Sequence, residues 1–207
     1  MKPRHAWKVI AFATAAALSS GAFAQTSKDL LNDQNTPGDV LVYGMGYSAQ
    51  RYSPLAKINK SNVKRLVPLW GYAMSDSNGA EAFTLVKDGV IYSTQHNVTV
   101  AVDALTGKQI WRVPHEYPQE TLRVVCCGIV NRGAAMYEGK IIRQLLDNSV
   151  IALDAKTGKE VWKTAAPEPA TIQNGYAMTG APLVVNGVVI AGVAGAEFSI
   201  RGFLDGY

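Results

Sequence analysis

The sequence predicts an all-β chain of repeated four-stranded antiparallel units, and three observations carry that prediction. Residues 101–111 and 152–162 align without a gap when the chain is shifted by 51, and seven of the eleven positions are identical. Alternating or β-branched runs precede each segment, at residues 98–102 and 149–153. Two-residue turn signals, Asp88-Gly89 and Glu138-Gly139, separate further apolar runs.

In chain order, the first element is a leader. Residues 1–24 carry a basic start (Lys2, Arg4, Lys8), an apolar run over 9–18, small residues at Ser19, Ser20 and Gly21, and Ala22-Phe23-Ala24 before Gln25. This is the pattern of a secretory signal peptide cleaved near Ala24. Ten apolar residues are too few to cross a bilayer core of about 30 Å as a helix, and no later run is long and apolar enough to span one. The expected product is an exported chain of residues 25–207 without a transmembrane segment. Helix is expected only in short turns, over 27–32 and 59–66.

In each repeat the Asp (Asp103, Asp154) suits a turn in which its carboxylate accepts backbone N–H groups. Gly107 and Gly158 supply a positive φ, Lys108 and Lys159 stay in water, and Trp111 and Trp162 fall on the outgoing strand. A four-stranded meander cannot bury both faces alone, so units repeating near every 50 residues must stack, and radial stacking gives a β-propeller. A third unit begins at residues 181–185, turns at Asn186-Gly187, continues over 188–192 and reaches a third strand near 202–207. An unfinished third unit would leave raw strand edges, so the chain is expected to be a fragment of a longer one.

Composition narrows the function classes. The 207 residues are 48% hydrophobic and 17% charged, enough for a buried core. Lys2, Arg4 and Lys8 belong to the leader, which leaves seventeen basic against sixteen acidic side chains. A nearly neutral body offers no basic groove for nucleic acid. His96 and His115 lack metal-ligand spacing, and no Gly-rich phosphate loop runs from a strand into a helix. Asn97-Val98-Thr99 formally matches a glycosylation acceptor within a tight turn.

The repeat Ala-x-Asp-x-x-Thr-Gly-Lys-x-x-Trp resembles the tryptophan-docking motif of eight-bladed quinoprotein propellers. Further segments are similar to the same family: Gln50-Arg51-Tyr52-Ser53-Pro54-Leu55, Leu66-Val67-Pro68-Leu69-Trp70, Cys126-Cys127-Gly128 through Arg132-Gly133, Met178-Thr179-Gly180, and Gly195-Ala196-Glu197-Phe198. Together they resemble the amino-terminal third of a pyrroloquinoline quinone (PQQ)-dependent alcohol dehydrogenase of the methanol/ethanol type. The resemblance implies an eight-bladed β-propeller in the parent protein, of which this chain holds roughly the first three blades, the last incomplete.

It also implies site residues. Adjacent trans Cα atoms lie 3.8 Å apart while ordinary disulfides want about 4.4–6.8 Å, so geometry alone leaves Cys126 and Cys127 as two thiols. In the family such a pair forms a vicinal disulfide against the quinone. Arg132 corresponds to an arginine on a cofactor carboxylate, Thr179 to a cofactor-contacting hydroxyl, Glu81 to a cofactor-binding glutamate, and Gly195 and Ala196 to small residues beside the flat ligand. Glu197 corresponds to a ligand of the calcium, or lanthanide, that also binds the quinone. The chain departs from the family at Phe83-Thr84, where Thr-Pro is usual, and at Val193-Ala194, where a Ser often donates to the cofactor.

The reaction so implied is oxidation of a primary alcohol to the aldehyde in the periplasm, by proton abstraction and hydride transfer, with a c-type cytochrome as electron acceptor. In the family the catalytic base is an Asp far downstream, and that Asp and an Asn complete the metal shell, so the resemblance implies that they lie beyond Tyr207; Asp147, Asp154 and Asp205 suit turns or strand ends. The fragment alone is therefore expected to be inactive. The competing readings are a non-enzymatic exported propeller scaffold and an inactive truncated relic. The first explains the Trp repeats but not Cys126-Cys127 with Arg132 and Glu197.

Overall fold

A computed structural model describes residues 25–74, 78–125, 128–167 and 170–207. The leader and the Cys126-Cys127 pair lie outside the described residues. Blade 1 contains β1 (Leu85–Lys87), β2 (Val90–Gln95), β3 (Val98–Asp103) and β4 (Gln109–Pro114); blade 2 contains β5 (Ala135–Tyr137), β6 (Lys140–Gln144), β7 (Ser149–Asp154) and β8 (Glu160–Ala165). Both are antiparallel meanders in sequence order. A third sheet pairs β9 (Leu183–Val185), β10 (Val188–Gly192) and β11 (Leu204–Gly206), as the third repeat predicts.

Turn chemistry sets each register. Asp88-Gly89, Glu138-Gly139 and Asn186-Gly187 all have positive φ at both residues, the twist that a two-residue hairpin needs. At the other hairpin, Asp103 Oδ1 accepts from the Leu105 and Thr106 amides and from Thr106 Oγ1. Asp154 Oδ1 accepts the same three donors from Lys156 and Thr157. The Thr106 hydroxyl is the leading influence that lowers the Asp103 pKa, and the Thr157 hydroxyl does the same for Asp154. The repeats share a further detail: both β3–β4 and β7–β8 shift register one residue before that Asp, at Ala101/Val102 and Ala152/Leu153.

The tryptophans join blades. Trp111 Nε1 donates to Ala155 O at 2.9 Å, and a Cβ placed on Gly158 would lie 2.8 Å from its ring. Trp70 repeats this on blade 1, donating to Ala104 O at 3.2 Å over Gly107. Trp70, Tyr72 and Met74 also pack on Val98, Val100 and Val102. Residues 66–74 thus occupy the place of an outermost strand of a preceding blade. The turn glycines therefore have two jobs, a positive φ and a bare face for an indole. Trp162, next in the series, lines the gap between blade 2 and the third sheet with Gly187, Val189 and Tyr207.

At the opposite end of the blade 1–blade 2 interface lies a fully buried cation. Arg143 donates to Val98 O (2.7 Å), Gln95 O (2.9 Å), His96 O (3.0 Å) and Thr99 Oγ1 (3.0 Å). Carbonyl dipoles take the role of a counter-ion, which satisfies the fork that burial would otherwise penalise. Burial lowers the Arg143 pKa to about 10, so it stays charged at neutral pH. His115, bonded to Thr99 Oγ1 at 2.9 Å, is held neutral; burial first, then Arg143, push its pKa down to about 3.

Short helical turns appear where expected and at Asp33–Asn35, Thr121–Val124 and Ala196–Phe198. α1 (Ser27–Asn32) opens with a capping box between Thr26 and Asp29 and buries Leu30. Near 59–66 there is only a 3₁₀ turn, Val63–Arg65. α2 (Thr121–Val124) sits in the loop between the blades and has no amphipathic signal in the sequence.

Gly158→Ala should destabilise the protein more than Gly89→Ala. Both glycines have positive φ, but a Cβ at 89 meets nothing within 4 Å while one at 158 meets the indole. Urea denaturation should show a loss of about 1–2 kcal/mol at 89 and roughly 1–3 kcal/mol more at 158. His115 also gives a pH signature. With its folded pKa below the unfolded value, the unfolded chain binds the extra proton between about pH 6.5 and about pH 3. Stability should fall as pH drops through that window, and His115→Gln should flatten the decline in pH-dependent thermal melts.

Candidate cofactor site

Three loop ends meet at Arg132. The residue lies in the segment entering β5, Thr179 in the segment entering β9, and Glu81 and Phe83 in the segment entering β1. The Arg132 amide donates to Thr179 O at 2.9 Å, and its carbonyl accepts from the Phe83 amide at 3.2 Å. Phe83 and Gly133 form an isolated parallel bridge. One residue's backbone is therefore fixed to a neighbour on each side.

The guanidinium is positioned as well. Nη1 donates to Thr179 Oγ1 at 2.8 Å, and Nη2 lies 3.4 Å from Glu81 Oε2. The two charged side chains are 43% and 46% exposed, so the pair contributes on the order of 0–1 kcal/mol to stability and acts mainly to orient the fork. Arg132 borders a cavity of about 410 Å³ lined with Val42, Tyr43, Tyr47, Pro182 and Leu183. An arginine with five donors, held by one hydroxyl and one carboxylate, retains N–H groups for an anionic ligand.

At the two departures from the pattern the sequence resembles, the main chain is firmly bonded. Phe83, in place of the usual Thr, supplies the amide bonded to Arg132 and packs its ring 5.1 Å from that of Tyr43. Ala194 is bonded through both main-chain groups to Ala177, at 2.8 and 3.3 Å. Gly133 is required, since its φ is 133° and a Cβ would sit 3.1 Å from Phe83 O.

Glu81, Arg132 and Thr179, proposed separately from the sequence, come together. Gly195, Ala196 and Glu197 make their contacts elsewhere. Gly195 has φ 128°, and a Cβ there would meet Gly175 O at 2.7 Å and Ile200 at 2.5 Å, so the chain itself already fills the space beside it. Ala196–Phe198 is a single 3₁₀ turn that exposes Ala196 and Glu197. Among the described residues no three His, Cys, Asp or Glu side chains cluster as a metal site. Sequence reading passed over Asn131 and Gln144, which are both almost fully buried beside Arg132 and Thr179. The sequence offers little signal for either: Gln144 closes β6, whose sequence Lys-Ile-Ile-Arg-Gln is mixed, and Asn131 stands in a loop.

Repeated blades joined by docked indoles, with a polar cluster where the blade-entry loops meet, define part of a β-propeller. Residues 41–201 match the family described as PQQ: glucose/ethanol/alcohol dehydrogenase, β-propeller domain, and the chain belongs to this family. It is 42% identical to a 1-butanol dehydrogenase (quinone) of Thauera butanivorans, over 99% of this chain and 34% of that one. The structure superposes on the quinohemoprotein alcohol dehydrogenase ADHIIG of Pseudomonas putida HK5 with a TM-score of 0.84 at 37% identity, covering 88% of this chain and 27% of that one. A europium-containing methanol dehydrogenase gives 0.79 at 34%, covering 87% and 31%. The chain thus spans about a third of the length of its relatives.

Arg132→Lys tests the geometry of the fork. Lysine keeps the charge but loses the paired, planar donors, so affinity for PQQ, the ligand proposed below, should fall roughly 10- to 100-fold, the equivalent of one charge-assisted hydrogen bond. Fluorescence titration of the cofactor-free protein reads the loss.

Proposed function

We propose that the protein to which this chain contributes is an exported PQQ-dependent dehydrogenase that oxidises primary alcohols to aldehydes. The observation that carries the reading is the Arg132 guanidinium, set between Thr179 Oγ1 and Glu81 at the edge of a cavity. That donor set suits a flat polycarboxylate.

Within this reading Arg132 pairs with a cofactor carboxylate, Thr179 fixes the arginine and offers its hydroxyl, and Glu81 keeps the guanidinium from swinging into solvent. Ala196 offers an exposed small side chain for close approach. Glu197 supplies one oxygen ligand to calcium or a lanthanide; a hard cation takes six to eight, so the rest come from other blades of an eight-bladed ring. Cys126 and Cys127 pair with each other, and thiol titration before and after reduction reads that bond. When bound, the quinone would supply the hydride acceptor and its metal the Lewis-acid polarisation for oxidation of the alcohol carbon. The proton is taken by a base beyond Tyr207. Asp147 is bonded to Ser149 and Lys163, and Asp154 to its own turn, so neither carboxylate is free for that task.

Export and cleavage near Ala24 belong to the same proposal. They are supported by the leader pattern, and the residues just after the cleavage point are built into the fold: Gln25 O and Oε1 accept the Glu138 and Gly139 amides, and Thr26 caps α1. The electron acceptor proposed is a c-type cytochrome.

The test is to read the coding frame past Tyr207, express the full-length product with its leader, and load it with PQQ and either calcium or a lanthanide. Dye-linked oxidation of ethanol or 1-butanol that requires both additions is the expected result. Glu197→Gln should raise the metal concentration for half-activation at least about tenfold, through loss of a charged ligand. A stop codon after Tyr207, or a full-length product that does not bind PQQ, overturns the reading.

A further inference from the structure

Beneath Arg132 runs a line of buried polar side chains that crosses all three sheets. Thr94 Oγ1, at the end of β2 in blade 1, donates to Asn131 Oδ1 at 2.5 Å. Asn131 Oδ1 also accepts the Gly133 amide at 3.1 Å, and Asn131 Nδ2 donates to Gln144 O at 3.2 Å. Gln144 Nε2 reaches into the third sheet and donates to Gly192 O at 2.6 Å. Its Oε1 lies against Gly180, where a Cβ would approach to 3.2 Å. Thr94, Asn131 and Gln144 are each 2% exposed or less.

The placement of these contacts is specific. Asn131 and Gly133 flank Arg132, so Asn131 pins the turn carrying the arginine. Gln144 presses on the residue after Thr179 and bonds the strand end that leads into Gly195, Ala196 and Glu197. Buried amides of this kind cost stability unless fully bonded. Here each is bonded to a loop that carries a proposed ligand residue, and neither amide faces the cavity beside Arg132.

We propose that Asn131 and Gln144 are positioning residues: a buried amide relay, anchored at Thr94, that holds Arg132, Thr179 and the Glu197 turn in one fixed arrangement for the cofactor. The inference rests on the reading of Arg132 and Thr179 as PQQ contacts. The relay itself touches no ligand. Its effect is to remove the freedom of three loops before binding, so that binding does not have to order them.

A double-mutant cycle tests this on the full-length protein. Thr94→Val removes the hydroxyl donor to Asn131 with little change in volume, and Gln144→Met removes the bond to Gly192 O while keeping the side chain's length. PQQ titration of the cofactor-free protein, followed by fluorescence, gives Kd for the parent, both single variants and the double. Each single change should weaken PQQ binding about tenfold, and the double should be clearly less than the hundredfold product, because both loosen the one Arg132–Thr179 contact, Thr94 from the Asn131 side and Gln144 from the Gly180 side. A merely structural role would lower the thermal midpoint of the cofactor-free protein and leave the Kd of its folded fraction unchanged.

Kd values within twofold of the parent, or effects that multiply independently, would overturn the relay. Failure of the parent protein to bind PQQ would instead overturn the cofactor reading. If Gln144→Met does not fold, Gln144→Glu replaces it, since a glutamate of the same length cannot donate to Gly192 O when ionised.

Discussion

The arrangement of the chain depends on one contact, an indole from one blade lying on the turn glycine of the next. Each blade is a small sheet with strands of three to six residues, too little to bury its own faces. Trp111 supplies a large apolar surface and one N–H donor, and Gly158 supplies the place where no side chain stands in the way. Arg143 closes the other end of the same interface with bonds to blade 1 carbonyls. Two clamps of opposite chemistry, one apolar and one ionic, fix the angle between neighbours.

The site follows from that angle. Arg132 bonds through its backbone to Phe83 on one side and to Thr179 on the other, so its side chain is correctly aimed only when three sheets are correctly spaced. The energetic worth of the exposed Arg132–Glu81 pair is small, and its geometry is supported from below by amides kept out of water. The polar chemistry at the surface of the cavity is thus inherited from polar chemistry in the interior.

The sequence makes the repeating parts legible because repetition imposes the same physical demand twice. Asp103 and Asp154 had to accept turn amides, Gly107 and Gly158 had to adopt positive φ, and both pairs do so. Glu81, Arg132 and Thr179 were readable only through resemblance, since no spacing rule brings residues 47 or more positions apart to one point. Arg143, Asn131 and Gln144 were not readable. Arg143 and Gln144 end the mixed strand Lys-Ile-Ile-Arg-Gln and Asn131 stands in a loop; polar residues in such places look the same in sequence whether they face solvent or bridge two sheets, and only the neighbouring blade decides which. The 3₁₀ turn at Val63–Arg65, within the stretch 59–66 where a short turn is expected, lies among exposed side chains with no apolar stripe packed beneath it.

The bond from Arg132 to Thr179 has a consequence for how the molecule is made. Every strand pair within a blade joins segments close in sequence, so sheets can form one by one as the chain emerges, at low cost in loop entropy. The arginine pocket joins segments 47 residues apart and needs neighbouring sheets already in place. Formation of the Arg132–Thr179 contact is therefore late relative to the single sheets. A chain stalled before its third sheet would hold hairpins in which Arg132 has no Thr179 to bond.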